Sequence, residues 1–188
     1  MSSKTLNFIF GRFNPPTLGH KKLFDAAAEI AGKDGFRIYP SKTTDKKKNP
    51  VPYEAKLEFL KKMFPQYNEY FIDDERVRTA LDVLVIAEEE GYSCVNMIVG
   101  SDRKESFENL LNKYNGELYS LKEIHVINGN QRNDNSSGID GLSASKMRDA
   151  VSRNDYQFFL NGIPNELTET DKKELFNAVA KGMELEGY

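Results

Sequence analysis

Along this chain, short apolar runs alternate with longer stretches in which apolar positions recur every three or four residues. Residues 6–10 form the first run, which breaks at Gly11 as a buried strand would. Leu23, Phe24, Ala27, Ile30 and Ala31 then keep helical spacing across 18–31. Residues 36–39 read as a second strand that ends at Pro40, and a lysine-dense polar loop occupies 41–52. Pro52 suits the first turn of a helix, and Tyr53, Leu57, Leu60, Met63 and Phe64 trace one face of that helix. Residues 69–72 predict a third strand. Val77, Ala80, Leu81, Leu84 and Val85 mark another helix, stopped by Gly91. Residues 94–99 form a fourth strand ending at Gly100; Phe107, Leu110, Leu111 and Tyr114 define a helix, and 124–127 a fifth strand.

This alternation argues for repeated β-α-β units, hence an α/β fold with a parallel sheet covered by helices on both faces. Ligands of such sheets lie outside the carboxyl ends of the strands. Three loops are thereby expected at a site: 11–20, 40–52 and 100–106. Residues 128–140 have no apolar period and read as an exposed, mobile loop. A helix follows from about Ser143, and Leu175, Phe176, Val179 and Met183 give the tail a helical rhythm. The expected organisation is one domain over 1–150 with a helical extension over 151–188. The tail's apolar stripe either packs on that domain or joins a second copy, which leaves a homo-oligomer open.

Composition narrows the function. Twenty-six Lys and Arg against 29 Asp and Glu give a formal net charge of −3, a poor balance for bulk binding of nucleic acid. No stretch approaches the roughly 20 apolar residues of a membrane span, and the first residues lack a signal peptide's basic start and apolar run. A cytoplasmic protein is expected. Cys94 is the single cysteine, which excludes an internal disulfide, and His20 and His125 are the two histidines, too few for a histidine-rich metal site. Cys94 reads as buried and inert, and His125, at an alternating position of the fifth strand, as a satisfied structural histidine.

Gly-Arg-Phe-Asn-Pro-Pro-Thr-Leu-Gly-His fills 11–20, between the first strand and the first helix. The unpaired amides at a helix start, at the positive end of its dipole, attract phosphate. Gly11 can take backbone angles closed to other residues, and Gly19 lets a ligand approach the chain. Pro15 and Pro16 stiffen the turn. His20 lies in the helix's first turn, where a ring nitrogen can donate to a phosphoryl oxygen. Far along the chain, Leu-Ser-Ala-Ser-Lys-Met-Arg spans 142–148. Its serines can cap a helix and face an anion, and Arg148, three residues past Ser145, comes to the same face and can grip two phosphate oxygens.

Both motifs resemble signatures of the nucleotidylyltransferase superfamily: the "H/T-x-G-H" element, filled by Thr17, Gly19 and His20, and the "I-S-S/G-T/S-x-x-R" element, filled by Ser143, Ser145 and Arg148. The resemblance covers roughly residues 5–150. It implies a Rossmann-like nucleotidylyltransferase fold with five strands in the order 3-2-1-4-5. It also implies a reaction in which the phosphate of an acceptor attacks the α-phosphate of a nucleoside triphosphate and pyrophosphate leaves. His20 and Thr17 would contact the triphosphate, with Gly11, Arg12, Phe13, Asn14 and Gly19 around it. Ser143, Ser145, Lys146 and Arg148 would hold the departing phosphates. Mg²⁺ would travel on the nucleotide, since no carboxylate cluster is evident for a protein-bound metal.

The loop after the second strand carries Lys42, Lys46, Lys47 and Lys48, a basic patch that reads either as a solvated charge run or, led by Lys42, as a face toward phosphate. The segment is similar to the "S-x-x-S-H-T-x-x-N-P-F-T-x-x-E-R" region of archaeal-type nicotinamide-mononucleotide adenylyltransferases, with Ser41, Thr44, Asn49, Pro50 and Glu54 matching. The family's His before Thr is absent, Lys56 falls near its Arg, and the chain has no Trp to stack on a nicotinamide ring. Gly100-Ser101-Asp102 resembles the glycine-led turn where ribose and base sit, making Asp102 a hydroxyl acceptor, a helix N-cap, or both. The set of motifs also looks like small nucleotidylyltransferases of tailed bacteriophages. Three readings follow: transfer of AMP from ATP to a small phosphorylated acceptor, with nicotinamide mononucleotide leading; cytidylyl transfer from CTP to a phosphorylated alcohol or sugar; or a nucleotide-binding module without turnover.

Overall fold

The computed structural model describes residues 4–100, 103–129 and 143–185. Within them the chain divides into two compact units. Among the described residues, one comprises the sheet and its covering helices (4–11, 23–39, 72–100 and 103–129); the other comprises 12–22, 40–71 and the C-terminal helices.

The first unit is built on four strands: β1 (Thr5–Gly11), β2 (Gly35–Pro40), β3 (Cys94–Val99) and β4 (Glu123–Asn128), in the order β2-β1-β3-β4. β3 runs parallel to both β1 and β4, with Leu6 opposite Val95 and Val95 opposite Ile124. Period-two alternation sorts the side chains onto two faces. Leu6, Phe8, Val95, Met97 and Val99 join one cluster with Val83, Leu84 and Ala87 of α3 (Ala80–Glu89) and Leu111 of α4 (Lys104–Lys113). On the opposite face lies α1 (Leu18–Ala31). Gly129 sits in the seam: a Cβ there would stand 2.8 Å from Leu23 Cδ1 and 2.9 Å from Ile98 Cγ2. Burial of each such side chain contributes about 1.5–3 kcal/mol. Ile30, expected on the buried face of α1, is instead 41% exposed.

The one polar interruption in β1 is satisfied across strands. Asn7 donates to the Gly35 carbonyl at 3.1 Å and accepts from its register partner Asn96 at 2.9 Å, so burial leaves neither amide unpaired.

The expected third strand, 69–72, is not a strand of the sheet. A 3-10 turn over Pro65–Tyr67 and a turn through Tyr70 consume the residues before it. What survives is one ladder bond, Ile72 amide to Ile38 carbonyl at 2.9 Å. The predicted order 3-2-1-4-5 is thus realised with its first member reduced to a bridge at the β2 edge. Too few residues remain there in extended form to pair.

The second unit is helical: α2 (Tyr53–Met63), α5 (Ala144–Ser152), α6 (Tyr156–Leu160) and α7 (Glu169–Gly182). α7 packs against α5 and α6, burying Leu175, Phe176 and Val179. Tyr156 and Phe159 meet Phe176 edge-on at 5.3 and 5.2 Å. Lys62 of α2 bridges to Asp171 of α7 at 3.4 Å. The tail's stripe therefore packs within the chain.

Cys94 is buried and donates to Glu123 at 3.7 Å. His125, expected as a satisfied structural histidine on this strand, has a side chain 59% exposed with Nε2 3.7 Å from Glu123. No described helix is long and apolar enough to cross a membrane.

Candidate functional site

The loop from Arg12 to Thr17 delivers His20. Leu18 opens α1, and the Thr17 carbonyl accepts from the amides of His20 and Lys21. The Thr17 amide in turn donates to His20 Nδ1 at 3.0 Å. An amide can only donate, so Nδ1 is the unprotonated nitrogen and the neutral ring carries its hydrogen on Nε2. Thr17 is 1% exposed, and its hydroxyl stands 3.4 Å from the same Nδ1. Phe13 takes φ +45°, a conformation that costs a non-glycine residue about 1–2 kcal/mol. Its ring presses edge-on against the imidazole, 5.0 Å between centroids. Burial first, and the charge of Lys56 second, lower the His20 pKa to about 4. At neutral pH His20 is therefore an uncharged Nε2–H donor held from three sides.

Lys56 was not singled out by its sequence context except as a replacement for arginine. It is fully buried, donates to the Ser41 carbonyl at 2.6 Å, and stands 3.5 Å from the Ser41 hydroxyl. No described carboxylate pairs with it, and burial lowers its pKa to about 8. The signal for it was available: at 3.6 residues per turn, Lys56 shares the face of Leu60 and Met63, both buried. A lysine on the apolar face of a helix is costly to bury and calls for an explanation.

Arg148 donates to the Asn14 carbonyl at 2.8 Å. Its pKa is lowered by burial and by the nearby Arg12 guanidinium, with Asp45 opposing. Two guanidiniums within electrostatic reach of each other repel, and an anion between them relieves the cost. Ser143 caps α5, its hydroxyl accepting from the Lys146 amide at 3.2 Å; Ser145 and Lys146 are exposed on the first turn. The Leu18 amide is spent on the Gly162 carbonyl at 2.9 Å.

Several sequence candidates turn out to hold the loops. The carboxamide of Asn14, 0% exposed, is consumed by the backbone of Val51: it donates to the carbonyl at 2.9 Å and accepts from the amide at 2.8 Å. Its side chain is thereby withdrawn from ligand contact. Asn49 donates to Asp45 at 2.8 Å and is likewise buried, while Asp45 also accepts from the amides of Lys47 and Lys48. These three hydrogen bonds, with a fourth from the Asn49 amide at 3.3 Å, hold the Asp45 carboxyl well below the usual carboxylate range. Ser41 is buried under Lys56. Thr44 and Glu54 are exposed, and Lys42 lies over the Tyr53 ring at 5.4 Å. Gly11 and Gly100 end β1 and follow β3 in the sheet unit. Asp102 lies outside the described residues, as does most of 128–140.

The geometry above agrees with a family assignment. A model of the cytidylyltransferase-like family matches residues 8–155. The chain belongs to the cytidylyltransferase-like family. Solved structures similar to this cytidylyltransferase-like chain share its fold. A protein from Vibrio parahaemolyticus described as a candidate nicotinate-nucleotide adenylyltransferase superposes with TM-score 0.55 at 16% identity, over 93% of this chain and 99% of that one. The Plasmodium falciparum nicotinic acid mononucleotide adenylyltransferase complexed with NaAD gives 0.56 at 14% identity, over 95% of each chain. The same enzyme complexed with APC gives 0.54 at 16%, over 93% and 98%. Compared by sequence with curated proteins, the cytidylyltransferase-like chain matches none.

Proposed function

We propose that this protein is a nucleotidylyltransferase that moves AMP from ATP onto the phosphate of a small acceptor, with nicotinamide mononucleotide as the leading acceptor and NAD as product. Family membership and the fold support nucleotidylyl transfer of the adenylyl or cytidylyl type. The observation that carries the reading is the neutral His20, its Nε2–H left to donate, among cations that no described acidic partner fully balances: Lys56, Arg12 and Arg148. An acceptor phosphate oxygen attacks the α-phosphorus, the bond from that phosphorus to the bridging oxygen breaks, and pyrophosphate leaves with the electron pair. No covalent intermediate on the protein is needed, so positioning and charge stabilisation do the catalysis. In this reading His20 donates to the α-phosphoryl oxygen as charge develops, and Arg148 and Arg12 hold the departing phosphates. Lys56 supplies a desolvated positive charge, strong because little water screens it.

Among the described residues no three carboxylate, imidazole or thiol groups converge to hold a metal. Mg²⁺ would arrive on the nucleotide substrate, held by its phosphate oxygens and water.

The test is pyrophosphate release with Mg²⁺ over a grid. ATP, CTP, GTP and UTP are crossed with nicotinamide mononucleotide, nicotinate mononucleotide, phosphopantetheine, FMN, and sugar and glycerol phosphates, with His20→Ala as the blank. Turnover in the ATP and nicotinamide mononucleotide well supports the full reading. Turnover with CTP moves the protein to the cytidylyl branch with the same site residues. A silent grid beside measurable ATP binding overturns nicotinamide mononucleotide as acceptor and leaves a binding module or an acceptor outside the grid.

A further inference from the structure

α7 ends against the loop that carries Asp45 and Val51. Gly182, its last residue, meets the backbone of Pro50 so closely that a Cβ there would stand 2.8 Å from Pro50 Cα and overlap the Pro50 carbonyl outright. Two residues on, Glu184 pairs with Lys46 of the same loop at 2.8 Å. The loop has little slack to yield. Asp45 binds the amides of Lys47 and Lys48 and the side chain of Asn49, and its own amide donates to the Asn49 carbonyl at 2.9 Å. Next to Pro50, the buried Val51 is gripped at both backbone atoms by Asn14, whose carbonyl receives Arg148.

We propose that Gly182 is a positioning residue for Arg148, acting through Pro50, Val51 and Asn14. The C-terminal helix sets the height of the loop, the loop sets Asn14, and the Asn14 carbonyl sets the guanidinium. Asp45, whose charge acts on Arg148, rides on the same loop and moves with it. Only glycine allows the final turn of α7 to come this close, so a methyl group at 182 must lift the loop. A shift of about 1 Å in a positioning group can cost on the order of a hundredfold in function. The role assigned to Arg148 rests on the proposed nucleotidylyl transfer, whereas the relay itself is a property of the fold.

Two readouts separate the relay from that reading. The ¹H–¹⁵N resonance of the Arg148 guanidinium, assigned by its loss in Arg148→Lys, reports the bond to the Asn14 carbonyl with no ligand present. Calorimetric titration of the full chain with inorganic pyrophosphate and Mg²⁺ reports phosphate binding. The relay predicts that Gly182→Ala stays folded, shifts or broadens the guanidinium resonance, and weakens pyrophosphate at least tenfold. It further predicts that Gly182→Ala adds no further weakening in an Asn14→Ala background, because both act through one path. An unshifted resonance in Gly182→Ala, or effects of the two substitutions that multiply, overturns the relay. Pyrophosphate affinity equal in wild type and Arg148→Ala, with the resonance still responding to Gly182→Ala, overturns the phosphate role of Arg148 and leaves the relay standing. Should Gly182→Ala fail to fold, Glu184→Lys opposes Lys46 on two exposed side chains. It is expected to shift the same resonance at low salt and less in about 0.5 M salt, where surface charges are screened; no shift at either salt overturns the relay.

Discussion

At the scale of single residues, the site is decided by protonation states. His20 has a folded pKa of about 4, against about 6.5 when unfolded. Between those values the unfolded chain takes up a proton that the folded chain refuses, so folding stability falls as pH drops from about 6.5 toward 4 and is fully present above that window. Urea midpoints of wild type and His20→Asn, measured from pH 7 to 4.5, are expected to diverge in their pH dependence, with wild type the steeper. Turnover should show no inflection near 6.5, and His20→Ala should lower kcat by orders of magnitude with little change in nucleotide affinity, since in the proposed mechanism its bond strengthens in the transition state. Lys56 behaves in the complementary way. With a folded pKa of about 8 below the unfolded value of about 10.4, stability of the free protein rises between those values as the buried charge is lost. Pyrophosphate binding should weaken over the same window. Lys56→Met, which removes a buried cation with no described carboxylate partner, is expected to be at least as stable as wild type in thermal unfolding while losing tenfold or more in turnover. A variant that lost stability and kept activity would assign Lys56 to the core alone.

At the scale of elements, the two signature motifs are held in place by what their helices bury. Ser143 fastens the first turn of α5, and Ser143→Ala should cost about 1 kcal/mol in urea unfolding with a modest effect on phosphate binding. Phe176 of α7 is the ring that Tyr156 and Phe159 both meet, so Phe176→Ala should cost about 3–5 kcal/mol by cavity formation. The helices were legible in the sequence wherever apolar residues recur at helical spacing, as at Leu23, Phe24 and Ala27 or at Leu175, Phe176 and Val179. The predicted third strand was a plausible reading of Glu69-Tyr70-Phe71-Ile72, whose residues favour extension. It failed because the preceding turn uses the residues a ladder would need, and strand identity depends on a partner's backbone that periodicity does not contain.

At the scale of the whole molecule, the charge is nearly balanced at −3, yet Arg12 lies within electrostatic reach of Arg148, and Lys56 of His20, where phosphate is proposed to bind. Duplex DNA, which rewards extended basic surfaces, should therefore show no retention of the protein at about 0.1 M salt, while pyrophosphate competes with ATP for the site; gel-shift and competition titrations check both. The sequence by itself determined the β-α-β order, the first-turn position of His20 and the family motifs, because those depend on local spacing along the chain. Only the tertiary structure decided that Asn14 and Asn49 hold loops, that His20 is a neutral Nε2–H donor, and that Lys56 lies buried with no described carboxylate beside it. The physical reason is common to all three: a hydrogen-bond partner, a burial depth and a neighbouring charge are set by segments distant in sequence. Asn14 is tied to Val51 and Arg148, and Gly182 to Pro50, across separations that no local pattern encodes.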